Sequence, residues 1–125
     1  MAPHSITRAT LRFILEVARG NHPREFAALL EDTAGVIDNL IFLPGSTGAQ
    51  SSADLPIHEL PLGVRVAGSV HSHPIDDRTP SEEDLKLFSD TGEVHIIVSP
   101  PYNEKSWSCY TWEGRPTRLK VVDAP

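Results

Sequence analysis

His71 and His73 stand one residue apart, and three carboxylates, Glu82, Glu83 and Asp84, follow a proline–serine pair at Pro80-Ser81. On an extended chain, positions i and i+2 point to the same side, so the two imidazoles can converge on one point. A carboxylate folding back from the later segment would add a third donor, and H-x-H-x10-D is the spacing for Asp84. Three protein donors on a zinc ion leave the fourth position open, the arrangement that separates catalytic from structural zinc. The chemistry this implies is hydrolysis by metal-activated water. Each element also has a plainer explanation. Two histidines on a strand can share a solvent face, and Ser81-x-x-Asp84 is a variant capping box with its acid favoured by the helix dipole. A carboxylate aimed at a metal is expected not to fold back fully onto the N-cap amide, and spacing alone does not choose among Glu82, Glu83 and Asp84.

The elements that must position these groups follow from periodicity. Apolar residues at Ile6, Leu11, Ile14, Leu15 and Ala18 predict an amphipathic helix from Ser5 to Gly20, with Gly20-Asn21 as its stop. Glu25 to Leu30 is a short apolar run behind His22-Pro23 and predicts a buried strand with Glu25 at its start. A second strand is expected over Val36 to Leu43, then a polar, mobile connection from Gly45 to Ala53. Val64 to Val70 alternates as a strand whose end delivers both histidines. Ser81 to Ser89 reads as a short helix with Ser81 as N-cap, Asp84 in its first turn, and Leu85, Leu87 and Phe88 as apolar positions. Val94 to Val98 is apolar enough for a central strand covered on both faces. Trp107 to Trp112 and Pro116 to Val122 predict two further strands joined at Glu113-Gly114. The expected fold is a single α/β domain over residues 1–125.

Composition limits the function classes. With 11 Lys and Arg against 17 Asp and Glu, the formal charge is −6, and the basic residues are scattered, so no nucleic-acid partner is expected. Cys109 is the one cysteine, which excludes an intrachain disulfide and fits a reducing compartment. No stretch approaches the roughly 20 apolar residues of a membrane span. Met1 to Ser5 shows no charged region leading into an apolar one, so neither export nor membrane attachment is expected and the cytoplasm is the expected location.

Taken together, Glu25 in His22-Pro23-Arg24-Glu25, His71-Ser72-His73-Pro74, Pro80-Ser81-Glu82-Glu83-Asp84 and Ile96-Ile97-Val98-Ser99-Pro100 resemble the JAMM (MPN-plus) metalloprotease family, especially its compact archaeal and bacterial members. The resemblance spans nearly the whole chain. It implies a mixed, largely antiparallel sheet flanked by helices, of the cytidine-deaminase-like kind. It also implies one Zn2+ per chain on His71, His73 and Asp84, which is what singles out Asp84 from its acidic neighbours. Glu25, by its composition a solvent-facing carboxylate at a strand edge, would instead hydrogen-bond the zinc water as general base and then general acid. Ser81 would donate to the oxygen that becomes negative. One departure is Ala28, where many members carry Gly three residues after the glutamate.

The implied reaction is hydrolysis of an isopeptide bond between a lysine and the C-terminal glycine tail of ubiquitin or a ubiquitin-like modifier. The tail would be gripped as an added strand along Ser51 to Leu62. With little room for insertions, the chain resembles a minimal catalytic core, whose leading substrate would be a small modifier or a sulfur-carrier protein of the same fold. Trimming of a sulfur carrier's C-terminus, a metal-binding interaction module without catalysis, and a DNA-repair-associated relative are the alternatives. The last usually carries an upstream helical DNA-binding segment, for which this chain begins too near the motif. The oligomeric state is left open, a homodimer being one option. His22 and His95 are expected to be structural, His4 and His58 exposed, and Cys109 a packing residue. Trp107 and Trp112 should face opposite sides of their strand, with at least one in the core.

Overall fold

The structure is a computed structural model and describes residues 2–42 and 66–123. The expected polar connection at Gly45 to Ala53, the tail-binding segment Ser51 to Leu62, His58, Leu43 and the start of the strand at Val64 lie outside the described residues. Those described form β1 (Ser5–Thr7), α1 (Arg8–Asn21), β2 (Ala27–Thr33), β3 (Val36–Ile41), β4 (Gly68–Ser72), α2 (Glu82–Asp90), β5 (Val94–Val98), β6 (Trp107–Thr111), β7 (Pro116–Thr117) and β8 (Lys120–Val122).

The first helix starts later than the periodicity suggested. Ser5 to Thr7 are a strand held between β3 and β8, both parallel to it, and Ile6 is fully buried there. Thr7 turns the chain into the helix by accepting a hydrogen bond from Thr10 N at 3.1 Å. Ile6 fits a helical stripe and a buried strand equally well, and only partners distant in sequence decide between them.

The strands form one eight-stranded sheet in the order β7-β6-β5-β4-β2-β3-β1-β8. Pairing is antiparallel at β2/β3, β2/β4, β5/β6 and β6/β7, and parallel at β4/β5, β1/β3 and β1/β8. The expected last strand, Pro116 to Val122, is two strands instead, and they sit at opposite ends of this order. Only Arg118 and Leu119 separate them, a reach of at most about 11 Å, so the sheet must curl until its two edges are neighbours.

Both faces of the central strands are covered, which explains their unbroken apolar runs. Ala28 and Leu30 of β2, Val70 of β4 and Val94, Ile96 and Val98 of β5 join Ile6 and the α1 residues Leu11, Ile14, Leu15 and Ala18 in the main core. Alternate positions face the other way, where Ala27 and Leu29 meet Leu87 of α2. Leu87 and Phe88 are buried as expected, whereas Leu85 is 40% exposed. Cys109 and the partly buried Trp107 pack in the main core, while Trp112, five positions on, is exposed. Gly68 is required where β4 meets β5, because a Cβ there would run into the Val94 backbone.

Candidate active site

The parallel pairing of β4 with β5 and its antiparallel pairing with β2 place His71 opposite Ile97 and Ala27. His71, in β4, is fully buried, and His73 emerges just beyond the strand, with ring centroids 5.1 Å apart. Between them Ser72 performs a task the sequence did not advertise. Its Oγ accepts the Phe26 N–H at 2.8 Å, and its own N–H donates to the Phe26 carbonyl at 2.9 Å. These two bonds lock the segment carrying Glu25, two residues ahead of β2 and not within it, beside the histidine strand. The clue available in sequence was a serine between two histidines, which alternation turns away from them.

The third donor comes from α2. Ser81 is the N-cap: its Oγ accepts Asp84 N–H at 3.1 Å, and its N–H donates to Asp84 Oδ2 at 2.8 Å. The same Oδ2 lies 3.1 Å from His73 Nε2, and Oδ1 lies 2.9 Å from His71 Nε2. The expectation that capping and approach to the histidines exclude each other is therefore wrong. A carboxylate has about four acceptor sites, and at the third helical position it faces both its own N-cap and the end of β4. Glu82 and Glu83 point from the exposed side of the helix, and Asp84 alone of the three is buried.

His71, His73 and Asp84 each offer one donor atom, and those atoms lie within 4.8 Å of one another. Their chemistry fits a divalent cation. His73 Nδ1 faces the Asp77 carbonyl at 2.7 Å and so must be the protonated nitrogen. Its Nε2 then faces an acceptor-only carboxylate and needs either a second proton or a cation. His71 is more exacting still: both ring nitrogens are buried without a hydrogen-bond partner among the described residues. The 2.9 Å approach of its Nε2 to Asp84 is an ion-pair distance without hydrogen-bond alignment. A buried polar atom left unsatisfied costs about 1–3 kcal/mol, and for Nε2 a bound cation would offset it.

Electrostatics of the cluster agree. Burial would raise the Asp84 pKa, but the two imidazoles and the Ser81 N–H outweigh it and hold the carboxyl far below its usual range. Burial likewise depresses His73, yet the bonds to Asp84 and the Asp77 carbonyl, with the charges of Asp84 and Glu25, bring the net shift upward. For Glu25, burial dominates and raises the pKa. The nearby His71 and His73 oppose this, while Asp84 and Glu83 add to it.

A cavity of about 650 Å³ opens over the cluster, lined by Glu25, His73, Ser81 and Asp84 together with Pro74, Ile75, Asp77, Thr79, Glu82 and Glu83. Four of the five residues singled out from sequence line it, and the fully buried His71 lies behind Asp84, its Nε2 2.9 Å from Oδ1. His95, His22, His4 and Cys109, set aside from sequence, are not among its lining residues. His95 is a satisfied core histidine, its Nε2 donating to the Gly92 carbonyl at 3.0 Å, its Nδ1 2.7 Å from Ser69 Oγ and its ring stacked on Phe88. His22 meets the Tyr102 hydroxyl at 2.7 Å, and His4 is exposed. Burial pushes the Cys109 thiol up to about 12, far from a nucleophile's range. No helix among the described residues is long and apolar enough to cross a membrane.

Comparison with known proteins bears on this geometry. The family model for prokaryotic homologs of the JAB domain matches residues 7–110. A probable metalloprotease of Haloferax volcanii is 33% identical over 95% of this chain and 80% of its own length. Among solved structures, one described as a JAMM metalloprotease-like zinc site in the proteasome and signalosome superposes with a TM-score of 0.80 at 43% identity, covering 98% of this chain and all of the other. A JAB1/MPN domain protein from Archaeoglobus fulgidus superposes at 0.77 with 46% identity, covering 95% of this chain and 99% of its own.

Proposed function

Since the chain belongs to the prokaryotic JAB-domain family of JAMM metalloproteases, we propose that it is a zinc-dependent isopeptidase. Its bond is the one between a lysine and the C-terminal glycine tail of a small ubiquitin-like modifier. The observation that supports this most is the shared cavity: Glu25, Ser81 and two members of the three-residue cluster, His73 and Asp84, border the same space. His71, His73 and Asp84 would hold the zinc, which would supply a Lewis acid and bring the pKa of a water down to about 7. Glu25 takes the proton of the attacking water on its carboxylate and returns it to the departing lysine amine; its raised pKa suits both halves of that task. Ser81 Oγ already accepts the Asp84 N–H, so its hydroxyl proton remains to donate to the carbonyl oxygen as that oxygen gains charge. Asp77 fixes the His73 ring through its carbonyl, leaving Nε2 directed at the cluster.

The test is incubation of the purified protein with ubiquitin-like modifiers joined through their terminal glycine to a lysine, with chelator, and with zinc restored after chelation. Cleavage at the glycine–lysine bond, lost with chelator and recovered with zinc, is the expected result. About one zinc per chain should be found, lost or strongly reduced by His71→Ala or Asp84→Ala. Zinc binding with no turnover on any conjugate would overturn the isopeptidase in favour of an interaction module. Release of a single amino acid from a sulfur carrier's C-terminus, with isopeptide conjugates untouched, would replace it with a processing peptidase.

A further inference from the structure

His73 is held by a main-chain carbonyl, and that carbonyl belongs to a segment with no helix or strand of its own, residues 73–81 between β4 and α2. Within this segment two short bonds shape the turn, Asp77 N–H to the Ile75 carbonyl at 2.7 Å and Thr79 N–H to Asp77 Oδ1 at 3.0 Å. Neither ties it to the sheet. Arg78 does: its Nε donates to Ser108 Oγ on β6 at 2.9 Å, and its Nη1 to Ser99 Oγ just after β5 at 2.8 Å. Its carbonyl accepts the Tyr110 hydroxyl of β6 at 2.6 Å. Asp76 lies weakly across the same group, 3.3 Å from Nη1 and 3.4 Å from Ser99 Oγ. Ser99 is fully buried, so the guanidinium reaches into the fold.

We propose that Arg78 is a positioning residue of the metal centre, clamping the connection onto β5 and β6 so that the Asp77 carbonyl keeps His73 in its Nδ1-protonated tautomer with Nε2 free for the metal. The inference rests on the assignment of His73 as a ligand. The guanidinium is suited to the task because its donors are fixed in one plane and can meet two hydroxyls at once, whereas a lysine ammonium on a flexible stem cannot hold both in that geometry. Partners that orient a metal-binding histidine through its other nitrogen typically contribute 10–100-fold in affinity. Arg78 acts one residue further out, through the carbonyl of its neighbour.

The experiment is a zinc competition titration against a chromogenic chelator for the wild type, Arg78→Ala and Arg78→Lys. Thermal unfolding of each metal-free protein and imidazole nitrogen NMR of the zinc-loaded forms accompany it. Arg78→Ala should weaken zinc binding by about 10-fold or more and replace the single Nδ1-protonated His73 signal by exchange-broadened or mixed tautomers. Arg78→Lys should fall between the two. A folded Arg78→Ala that binds zinc within twofold of wild type and keeps the His73 signal overturns the inference. Should Arg78→Ala fail to fold, Tyr110→Phe removes only the hydroxyl that holds the Arg78 carbonyl, and it must shift affinity and tautomer in the same direction or the inference fails. Wild type that takes up no zinc would instead refute the ligand assignment itself, so the two failures are distinguishable.

Discussion

Ser81 has one observed role and one proposed role, and substitution can separate them. Its oxygen caps α2 by accepting the Asp84 N–H at 3.1 Å, and its proton is the one proposed to donate to the substrate oxygen. The reciprocal bond, from Ser81 N–H to Asp84 Oδ2 at 2.8 Å, uses the main chain and survives any non-proline replacement, so the carboxylate keeps its anchor in every variant. Ser81→Ala removes both side-chain roles. Losing the cap should cost about 1 kcal/mol, which for a chain of this size is a fall in melting temperature of about 3–5 °C. Losing the donor should lower kcat by about 10²–10³-fold with KM little changed. Ser81→Gly discriminates, because glycine at an N-cap costs only a few tenths of a kcal/mol yet has no hydroxyl. Its stability should be near wild type and its kcat as low as that of the alanine variant. Ser81→Thr retains the hydroxyl and should stay close to wild type in both. The assay is single-turnover cleavage of a glycine–lysine isopeptide conjugate beside thermal unfolding of the same samples. If alanine and glycine variants keep kcat within threefold of wild type while stability moves as stated, Ser81 is a cap alone and the donor role is refuted.

Glu25→Gln should retain zinc at the wild-type level and lose about 10²–10⁴-fold in turnover; metal analysis with initial rates checks it, and near-normal turnover removes Glu25 as the base. His95 carries a pH dependence of stability. Burial first, and then the proximity of His71, push its pKa to about 4 from 6.5. Between those values the unfolded chain binds a proton that the folded one does not, so stability is complete above about pH 6.5 and falls as pH drops toward 4, by about 3 kcal/mol in total. Urea midpoints of metal-free protein across that range should show a slope about 1 kcal/mol per pH unit steeper than in His95→Gln, and equal slopes would refute it. Gly68→Ala places a methyl against the Val94 backbone where no flexible side chain can yield, so β4 and β5 must separate. The expected loss is about 1–3 kcal/mol or more, with zinc affinity reduced alongside because β4 delivers both histidines; unchanged urea and zinc midpoints would contradict it.

Local pattern carried much of this protein. The H-x-H pair located two histidines that converge, on a strand that among the described residues runs over Gly68–Ser72 where the alternation placed it over Val64 to Val70, and the S-x-x-D box located the start of α2. The apolar runs at β2 and β5 announced strands covered on two faces, because burial on both sides demands unbroken hydrophobicity. Resemblance, not spacing, had to choose Asp84 over Glu82 and Glu83 and raise Glu25 above an ordinary edge carboxylate. Other features depend on contacts that no local window contains. Ile6 is a strand residue because β3 and β8 flank it, and Pro116 to Val122 divides because the curled sheet offers each half a different partner. The Asp77 carbonyl and the Arg78 clamp are invisible in sequence for the same reason: a main-chain group has no letter of its own, and a guanidinium's partners lie on β5 and β6. The sequence by itself determined which donor types this protein has and which segments carry them. Tertiary structure decided which of them converge, since convergence is a distance between strands and helices far apart along the chain, and it showed Asp84 capping α2 and meeting both histidines at once.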